Sequence, residues 1–361
     1  MTGPRYLPPN WFAAVMGTGI VAVAATSLPV GAGAAAGLRP FALGVWLLAA
    51  SALAVLVVAT GWHVVAHPEV ARTHLTHPVT SQFWGAPAMA LLTVGAGTLL
   101  VGRDLLGPVL AVRVDAVLWV AGTVLGLVTA VVVPLRTHRL GRGRPAEAFG
   151  GWLMPVVPPM VSASTGALLV PYTPEGACRA ALLVTSTGFF VLAAALSAPV
   201  IAQVARRVLW RHDVGEARMV PTLWIVLGPL GQSVTAAGLL AAATASVTGP
   251  HGEELARTVA VGYGLVVGAL ALAWAGVAAV VTVRTARRGL PFSLTWWSFT
   301  FPVGTCVTGA DALAARTGWA VFTPLAVAGY AGLLIAWVVV ASRTLAGLRT
   351  GALREVPAGL V

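Results

Sequence analysis

Long hydrophobic stretches, separated by short polar connections, run along almost the whole chain. Ten of them are long enough to cross a bilayer, because a membrane-spanning helix needs about 20 apolar residues. Their approximate bounds are 11–29, 41–62, 82–101, 114–135, 151–170, 178–201, 220–247, 255–283, 293–315 and 319–342. This pattern predicts an all-α integral membrane protein with ten transmembrane helices, in which residues 1–361 form a single transmembrane domain.

The composition excludes a soluble protein, and the charge pattern predicts the topology. Hydrophobic residues make up 58% of the chain and charged residues 9%, whereas soluble domains carry about 25% charged residues. All 22 basic residues are arginines, and sixteen of them fall on the side of the two termini if all ten stretches cross. The positive-inside rule then places both termini in the cytoplasm. The net charge of +11 follows from this topology and needs no nucleic acid partner. We expect a multi-pass protein of a bacterial-type inner (plasma) membrane.

Metal and cofactor chemistry find little support in the sequence. The two cysteines, Cys178 and Cys306, lie in different stretches and form no recognisable motif. Four histidines cluster between the second and third stretches, namely His63, His67, His74 and His77. This cluster has three interpretations: a metal site, a proton sensor or an interfacial loop. The loop is favoured, since Glu69 is the nearest carboxylate and no cysteine is near. The sequence therefore predicts no metal and no cofactor.

The odd-numbered stretches differ from the even-numbered ones. The odd stretches carry Gly, Pro, Ser and Thr near their middles, and each has a tryptophan three to six residues before a helix breaker. The breakers are separated by 70, 71, 71 and 73 residues, and they are Gly17, Pro87, Pro158, Pro229 and Pro302. A period near 71 residues has the length of one helical hairpin, so the pattern predicts five repeated hairpins.

This alternation predicts which helices lie inside. Helices that are apolar all round can face lipid, whereas the backbone groups freed by proline need a water-filled path or neighbouring helices. Small residues also let helices approach closely. We therefore expect the odd helices to form an inner ring around a central pore, with the even helices outside. The alternative is ordinary packing of kinked helices without a pore.

The candidate pore is lined by neutral groups, because no Arg, Asp or Glu lies at the centre of any stretch. This absence disfavours an enzyme and a strongly coupled pump. Hydroxyls, amides and the positive ends of broken helices would attract an anion without holding it. Alternatively, Ser and Thr bond their own helices. The predicted lining residues are Gly17, Thr18, Pro87, Thr93, Pro158, Ser162, Thr165, Pro229, Gln232, Ser233, Pro302 and Thr305; Ser164, Thr235 and Thr308 share their character.

Two aromatic residues in the ninth stretch are candidates for a gate. Phe299 and Phe301 precede Pro302 near mid-membrane. An aromatic ring that projects into a narrow path would block it by bulk and dewetting. The alternative is an aromatic side chain packed between helices.

Two segments carry a resemblance to a known family. They are Asn10-Trp-Phe-Ala-Ala-Val-Met-Gly17-Thr-Gly-Ile-Val-Ala22 and Trp296-Trp-Ser-Phe-Thr-Phe301-Pro302. The whole chain resembles the tellurite-resistance/dicarboxylate transporter family, which includes TehA, plant slow-type anion channels, and fungal malate permeases and sulfite exporters. The resemblance implies five hairpins around a pore, often in homotrimers, with a phenylalanine that occludes it. That phenylalanine matches Phe301, and Phe299 is the second candidate.

We therefore expect a channel-like or uniporter path for small anions. Dicarboxylates such as malate come first among the expected substrates, followed by sulfite, chloride and nitrate. A proton-coupled dicarboxylate permease is the alternative within transport. A membrane scaffold or enzyme without transport activity is the alternative of another class. The expected partners are small anions, the lipid bilayer and further copies of the chain in a homotrimer, with no nucleic acid.

Overall fold

The structure is a computed structural model that describes residues 6–140, 148–351 and 353. These residues are almost entirely helical and contain no β-strand, so the all-α prediction is confirmed. The α-helices are α1 (Phe12–Ser27), α2 (Ala32–Ala66), α3 (Pro68–Thr76), α4 (Gly85–Gly97), α5 (Arg103–Leu106), α6 (Pro108–Leu140), α7 (Pro158–Leu169), α8 (Ala177–Trp210), α9 (Leu227–Ala286), α10 (Phe301–Thr317) and α11 (Phe322–Arg349). A short π-helix, Thr98–Gly102, joins α4 to α5.

Seven helical segments in the described part of the chain are long and apolar enough to cross a membrane, which makes this a multi-pass membrane protein. They are Pro9–Ser27, Ala32–Ala66, Thr80–Leu106, Pro108–Arg139, Ala177–Trp210, Ala217–Ala286 and Phe322–Arg349. Two other predicted stretches contain α7 and α10, which have only 12 and 17 residues. Both are preceded by 3-10 turns that lengthen the helical path.

Helix α9 is broken at Gly249. Its 60 residues would span about 90 Å as one rod, three times the hydrocarbon thickness of a bilayer. Gly249 has a φ of 74° and is followed by Pro250, so the helix is interrupted there. Residues 227–248 are called the first arm and residues 250–286 the second arm. A Cβ on Gly264 would lie 3.2 Å from Val234, which shows that the two arms pack side by side.

Burial divides the helices into two sets. The buried helices are α1, α4, α7, the first arm of α9, and α10. The outer helices are α2, α6, α8, the second arm of α9, and α11, and they expose many valine and leucine side chains. The buried set contains the odd-numbered stretches of the sequence, and the outer set contains the even-numbered ones. This placement agrees with the apolar character of the outer helices, which need no polar neighbours in lipid.

The buried helices contact one another in a closed cycle. Helix α1 packs against α4, α4 against α7, α7 against α9, α9 against α10, and α10 against α1. Small residues permit the close approach. A Cβ on Gly231 in the first arm would lie 2.6 Å from the backbone nitrogen of Cys306 in α10, and one on Gly304 would overlap Ile20 in α1.

The four prolines of the sequence period begin helices rather than bend them. Pro87, Pro158, Pro229 and Pro302 lie in the first turns of α4, α7, α9 and α10. Each helix follows a 3-10 segment, namely Thr80–Trp84, Gly150–Leu153, Ala217–Val226 and Leu294–Phe299. Proline suits a first turn because the backbone N–H that it lacks has no partner within the helix there. Gly17, the fifth member of the period, lies inside α1 without a break.

Candidate functional site

A cavity of about 590 Å³ lies where the buried helices begin, and it is called the mouth cavity. The segment before each of the five buried helices contributes a lining residue; these residues are Asn10, Thr80, Phe149, Thr222 and Thr295. The cavity thus borders the segment that leads into each helix of the closed cycle, and the end of α8 and the segment 213–219 complete its lining.

A second open space lies deeper, beside Gly228 in the first arm. Gly228 is buried, yet a Cβ built on it would meet no atom of another helix or of a more distant turn within 4 Å. The other buried glycines of the five buried helices all have atoms within that distance. An internal space therefore borders the first turn of α9. No sequence signal distinguishes Gly228 from glycines that serve close packing.

Gly228 shares one face of the first arm with two polar side chains. Gln232 and Thr235 follow it at intervals of four and seven residues, which places all three on the same side of the helix. Gln232 Nε2 donates a hydrogen bond of 2.5 Å to Ser164 Oγ in α7. Thr235 exchanges a 2.7 Å hydrogen bond with Thr308 in α10. This face thus connects α9 to both neighbours in the cycle.

Phe301 has the same relation to polar residues in α10. Thr305 and Thr308 follow Phe301 at intervals of four and seven residues, and all three are buried. Phe301 immediately precedes Pro302, as Gly228 precedes Pro229. Phe301 and Gly228 therefore occupy equivalent positions at the starts of two neighbouring helices. The Phe301 side chain is buried, with 2% exposed, whereas the position of Gly228 borders an open space.

Phe299 has a different environment. Its aromatic ring makes edge contacts with Trp224, at a centroid distance of 5.7 Å, and with Trp296, at 5.8 Å. Phe299 is partly buried and lies in the 3-10 segment before α10. Packing against two tryptophans accounts for this side chain.

Three of the predicted lining residues turn toward outer helices. Thr18 Oγ1 accepts a hydrogen bond of 3.1 Å from Trp337 Nε1 in α11. Ser162 Oγ accepts one of 2.9 Å from Thr123 in α6. Ser233 interacts with Tyr263 in the second arm, while its Oγ donates its proton to Leu230 O of its own helix at 2.9 Å. These hydroxyls join the buried helices to the outer helices.

Three other predicted hydroxyls donate their protons to their own helices. Thr93 donates to Met89 O at 2.7 Å, Thr165 to Val161 O at 2.8 Å, and Thr305 to Pro302 O at 2.7 Å. A hydroxyl has one proton, so these groups present lone pairs to other ligands. Gln232 differs because Nε2 carries two hydrogens and the structure shows one donated bond.

The glycine and proline members of the predicted lining are buried at packing contacts and helix starts. A Cβ on Gly17 would overlap Thr300 Oγ1, so Gly17 lets α1 approach the segment before α10. Pro158 packs against Gly126 of α6. The remaining three, Pro87, Pro229 and Pro302, are buried in the first turns of their helices.

The histidine cluster is a packed contact beside the mouth cavity. His63 and His74 are 1% and 2% exposed, and their aromatic rings stack with centroids 5.4 Å apart. Tyr6 contacts His74 edge-on at 5.2 Å. Burial, with smaller contributions from the neighbouring histidines, lowers the pKa of His74 to about 4. Among the described residues, no three His, Cys, Asp or Glu side chains are arranged to hold a metal ion.

The fold and the site define a class: a multi-pass helical membrane protein whose buried helices surround internal space, as in transporters and channels. The family model described as SLAC1, voltage-dependent anion channel, matches residues 6–345, and the chain therefore belongs to this family. The resemblance drawn from the opening segment and the ninth stretch is thereby confirmed.

Several curated proteins are similar along most of their length. The uncharacterized transporters MJ0576 and MJ0762 of Methanocaldococcus jannaschii are 26% and 25% identical over 311 and 353 residues. These alignments cover 84% and 95% of this chain and 82% and 95% of the relatives. The sulfite efflux pump SSU1 of Arthroderma otae is 22% identical over 342 residues, 93% of this chain and 89% of the pump. The family consists of anion transporters and channels, so the prediction of a non-enzymatic protein is confirmed.

Proposed function

We propose that the chain conducts small anions through a central path between the five buried helices, as a channel or uniporter. The observation that carries this proposal is the mouth cavity, to which the segments before all five buried helices contribute. The open space beside Gly228 supports the presence of this path at membrane depth. Membership of an anion channel family supports an anion as the transported species.

The proposed architecture has ten crossings in five hairpins. The hairpins are α1 with α2, α4 with α6, α7 with α8, the two arms of α9, and α10 with α11. Contacts within each pair and the break at Gly249 support this assignment. The distribution of arginines supports cytoplasmic termini, and a bacterial-type inner membrane is the proposed location. Residues 1–361 then form one transmembrane domain, and a homotrimer is the proposed assembly.

Phe301 is the proposed gate. It is buried, and its place in α10 corresponds to that of Gly228 in α9, where the interior is open. A large aromatic side chain at this depth closes a narrow path by bulk and dewetting. Phe299 is the weaker candidate, because Trp224 and Trp296 hold it.

Two features provide the proposed preference for anions. Helices α4, α7, α9 and α10 begin beneath the mouth cavity, and helix starts carry partial positive charge. Gln232 adds an amide donor on the face that it shares with Gly228. The predicted lining hydroxyls contribute less than the sequence alone implied, since Thr93, Thr165 and Thr305 donate to backbone carbonyls.

Sulfite and malate are the leading candidate substrates. The similarity to fungal proteins named sulfite efflux pumps supports sulfite, and the family resemblance includes malate permeases. Chloride and nitrate follow, because a path without central charges discriminates weakly among anions of similar size.

Asp115 is the observation that favours the second candidate, a proton-coupled permease. This residue of α6 is 1% exposed, and neither carboxyl oxygen has a hydrogen-bond partner within the described residues. Its Oδ1 lies against Gly95 of α4, one of the buried helices. Carboxyl groups at membrane depth serve as proton-binding sites in many transporters.

A flux assay separates these functions. Protein in proteoliposomes would be tested with sulfite, malate, chloride and nitrate, with valinomycin and potassium to carry the balancing charge. Uniport predicts anion flux that requires valinomycin and is independent of an imposed pH gradient. Flux that requires the pH gradient, and that Asp115→Asn abolishes, would establish the permease instead. Absence of flux for the whole panel would refute both.

A further inference from the structure

His77 lines the mouth cavity, and its backbone contacts define its tautomer. Its Nδ1 atom accepts hydrogen bonds from the backbone nitrogens of Val79 and Thr80, at 3.3 and 3.2 Å. These bonds fix the neutral tautomer in which Nε2 carries the hydrogen. Burial, and to a smaller degree Arg218, lowers the pKa of His77. His77 is therefore a neutral N–H donor at neutral pH.

Arg218 lines the same cavity, and its guanidinium pairs with the carboxylate of Glu216. Its Nε donates to Glu216 Oε2 at 2.6 Å, and both side chains are 67% exposed. Exposed ion pairs of this kind contribute little to stability. The backbone carbonyl of Arg218 accepts a hydrogen bond of 3.1 Å from Thr295 Oγ1, which ties its main chain to the segment before α10.

Arg207 differs from Arg218, although it also lines the cavity. It pairs with Asp213 at 2.8 Å and donates to Ala148 O at 3.3 Å, and its side chain is 17% exposed. Asp213 also accepts a bond from the backbone of Gly215, and both contacts lower the pKa of this carboxyl. Arg207 thus holds the wall of the cavity together.

We propose that the mouth cavity contains an anion-binding site formed by Arg218 and His77, and that Glu216 is a tethered carboxylate that competes with the anion for Arg218. This site rests on the proposed function, since it lies where an anion would enter the path. The ligand class is a small oxyanion or carboxylate, because two oxygens match the fork of N–H donors on a guanidinium.

The proposal explains why Glu216 and Arg218 form an exposed pair beside a neutral histidine. An entering anion takes the place of the Glu216 carboxylate on Arg218 and gains the Nε2–H of His77. The released carboxylate moves into solvent at little cost. A site of this kind raises the local concentration of anions at the entrance without holding them tightly.

Equilibrium binding tests the site without requiring transport. Sulfite and malate would be titrated by calorimetry into purified protein in detergent. Arg218→Gln is expected to weaken binding about tenfold or more, since it removes a charge-assisted contact. His77→Asn is expected to weaken binding severalfold; an asparagine oxygen can still cap the Val79–Thr80 turn, but the Nε2–H is lost. Glu216→Gln is expected to tighten binding, because the competing charge is removed.

Arg211→Gln, in an arginine outside the cavity lining, is the matched control and should bind as wild type. Unchanged affinity in Arg218→Gln, or weaker affinity in Glu216→Gln, overturns the proposal. If Arg218→Gln does not fold, as judged by thermal unfolding, the direction of the Glu216→Gln effect decides alone. Binding without flux would refute the proposed function and leave the site standing, whereas flux with unaltered binding in the variants would refute the site only.

Discussion

Gln232 Nε2 in α9 donates a hydrogen bond to Ser164 Oγ in α7, and both side chains are almost wholly buried. The bond joins two neighbouring helices of the cycle, on the face of α9 that contains Gly228. Gln232→Leu keeps the approximate volume but removes the amide. We expect anion flux per folded protein to fall at least severalfold, because the path loses an N–H donor. Proteoliposome flux, normalised to reconstituted protein, measures the effect.

Thr18→Val is the matched control for Gln232→Leu. Thr18 accepts a hydrogen bond from the partly buried Trp337 of an outer helix, so its loss removes the acceptor of this indole N–H. The expected cost is about 0.5–1.5 kcal/mol of stability, seen as a lower midpoint of thermal unfolding, with flux per folded protein unchanged. If Thr18→Val lost as much flux as Gln232→Leu, a hydrogen bond to an outer helix would not distinguish a structural residue from one that lines the path.

The space beside Gly228 gives a second prediction. Gly228→Val adds a side chain where no atom outside the adjoining turns of its own helix lies within 4 Å of the Cβ, so we expect the protein to fold and anion flux to fall as the path narrows. Gly231→Ala adds less volume, but its Cβ would lie 2.6 Å from the backbone nitrogen of Cys306. We expect this smaller change to lower the thermal midpoint more. Normal flux in a folded Gly228→Val protein would place Gly228 outside the path.

The buried His74 predicts how stability depends on pH. Its folded-state pKa is about 4, below the value of about 6.5 for an unfolded histidine. Between these values the unfolded chain binds the proton more readily, so stability is complete above about pH 6.5 and falls as the pH decreases. The thermal midpoint should therefore drop between pH 7 and pH 5. The drop should be smaller in His74→Phe, which keeps an aromatic ring without titration.

His251→Phe, at an exposed position, is the control for replacing a histidine with phenylalanine outside the buried cluster. Equal pH dependence of the midpoint in wild type and His74→Phe would show that another group causes the acid instability.

The division between buried and outer helices could be predicted from the sequence because it depends on composition. Apolar side chains all round a helix suit lipid, and small or polar residues suit a protein interior, so the odd and even stretches separate without knowledge of contacts. The ninth-stretch motif likewise identified the family. These features are properties of segments, and segments are what a sequence displays most directly.

The sequence could not predict which neighbouring helix each polar side chain would bond. Ser162 and Ser164 are two residues apart in α7, yet one accepts a hydrogen bond from an outer helix and the other accepts one from Gln232. The difference comes from helix rotation, which is set by packing. The sequence marks the four prolines as helix breakers within the odd stretches, whereas in the structure 3-10 segments precede them and they lie in the first turns of α-helices. Gly228 and Gly231 differ only in what surrounds them.

The role of Phe301 is the centre of this account, and flux through Phe301→Ala tests it most directly. If the aromatic ring closes the path, its removal opens a leak. If the ring serves only packing, the same change costs about 3–5 kcal/mol of stability and opens nothing. We predict that anion flux per folded protein in proteoliposomes rises for Phe301→Ala and stays near the wild-type value for Phe299→Ala. Unchanged or reduced flux in a well-folded Phe301→Ala protein would contradict the account.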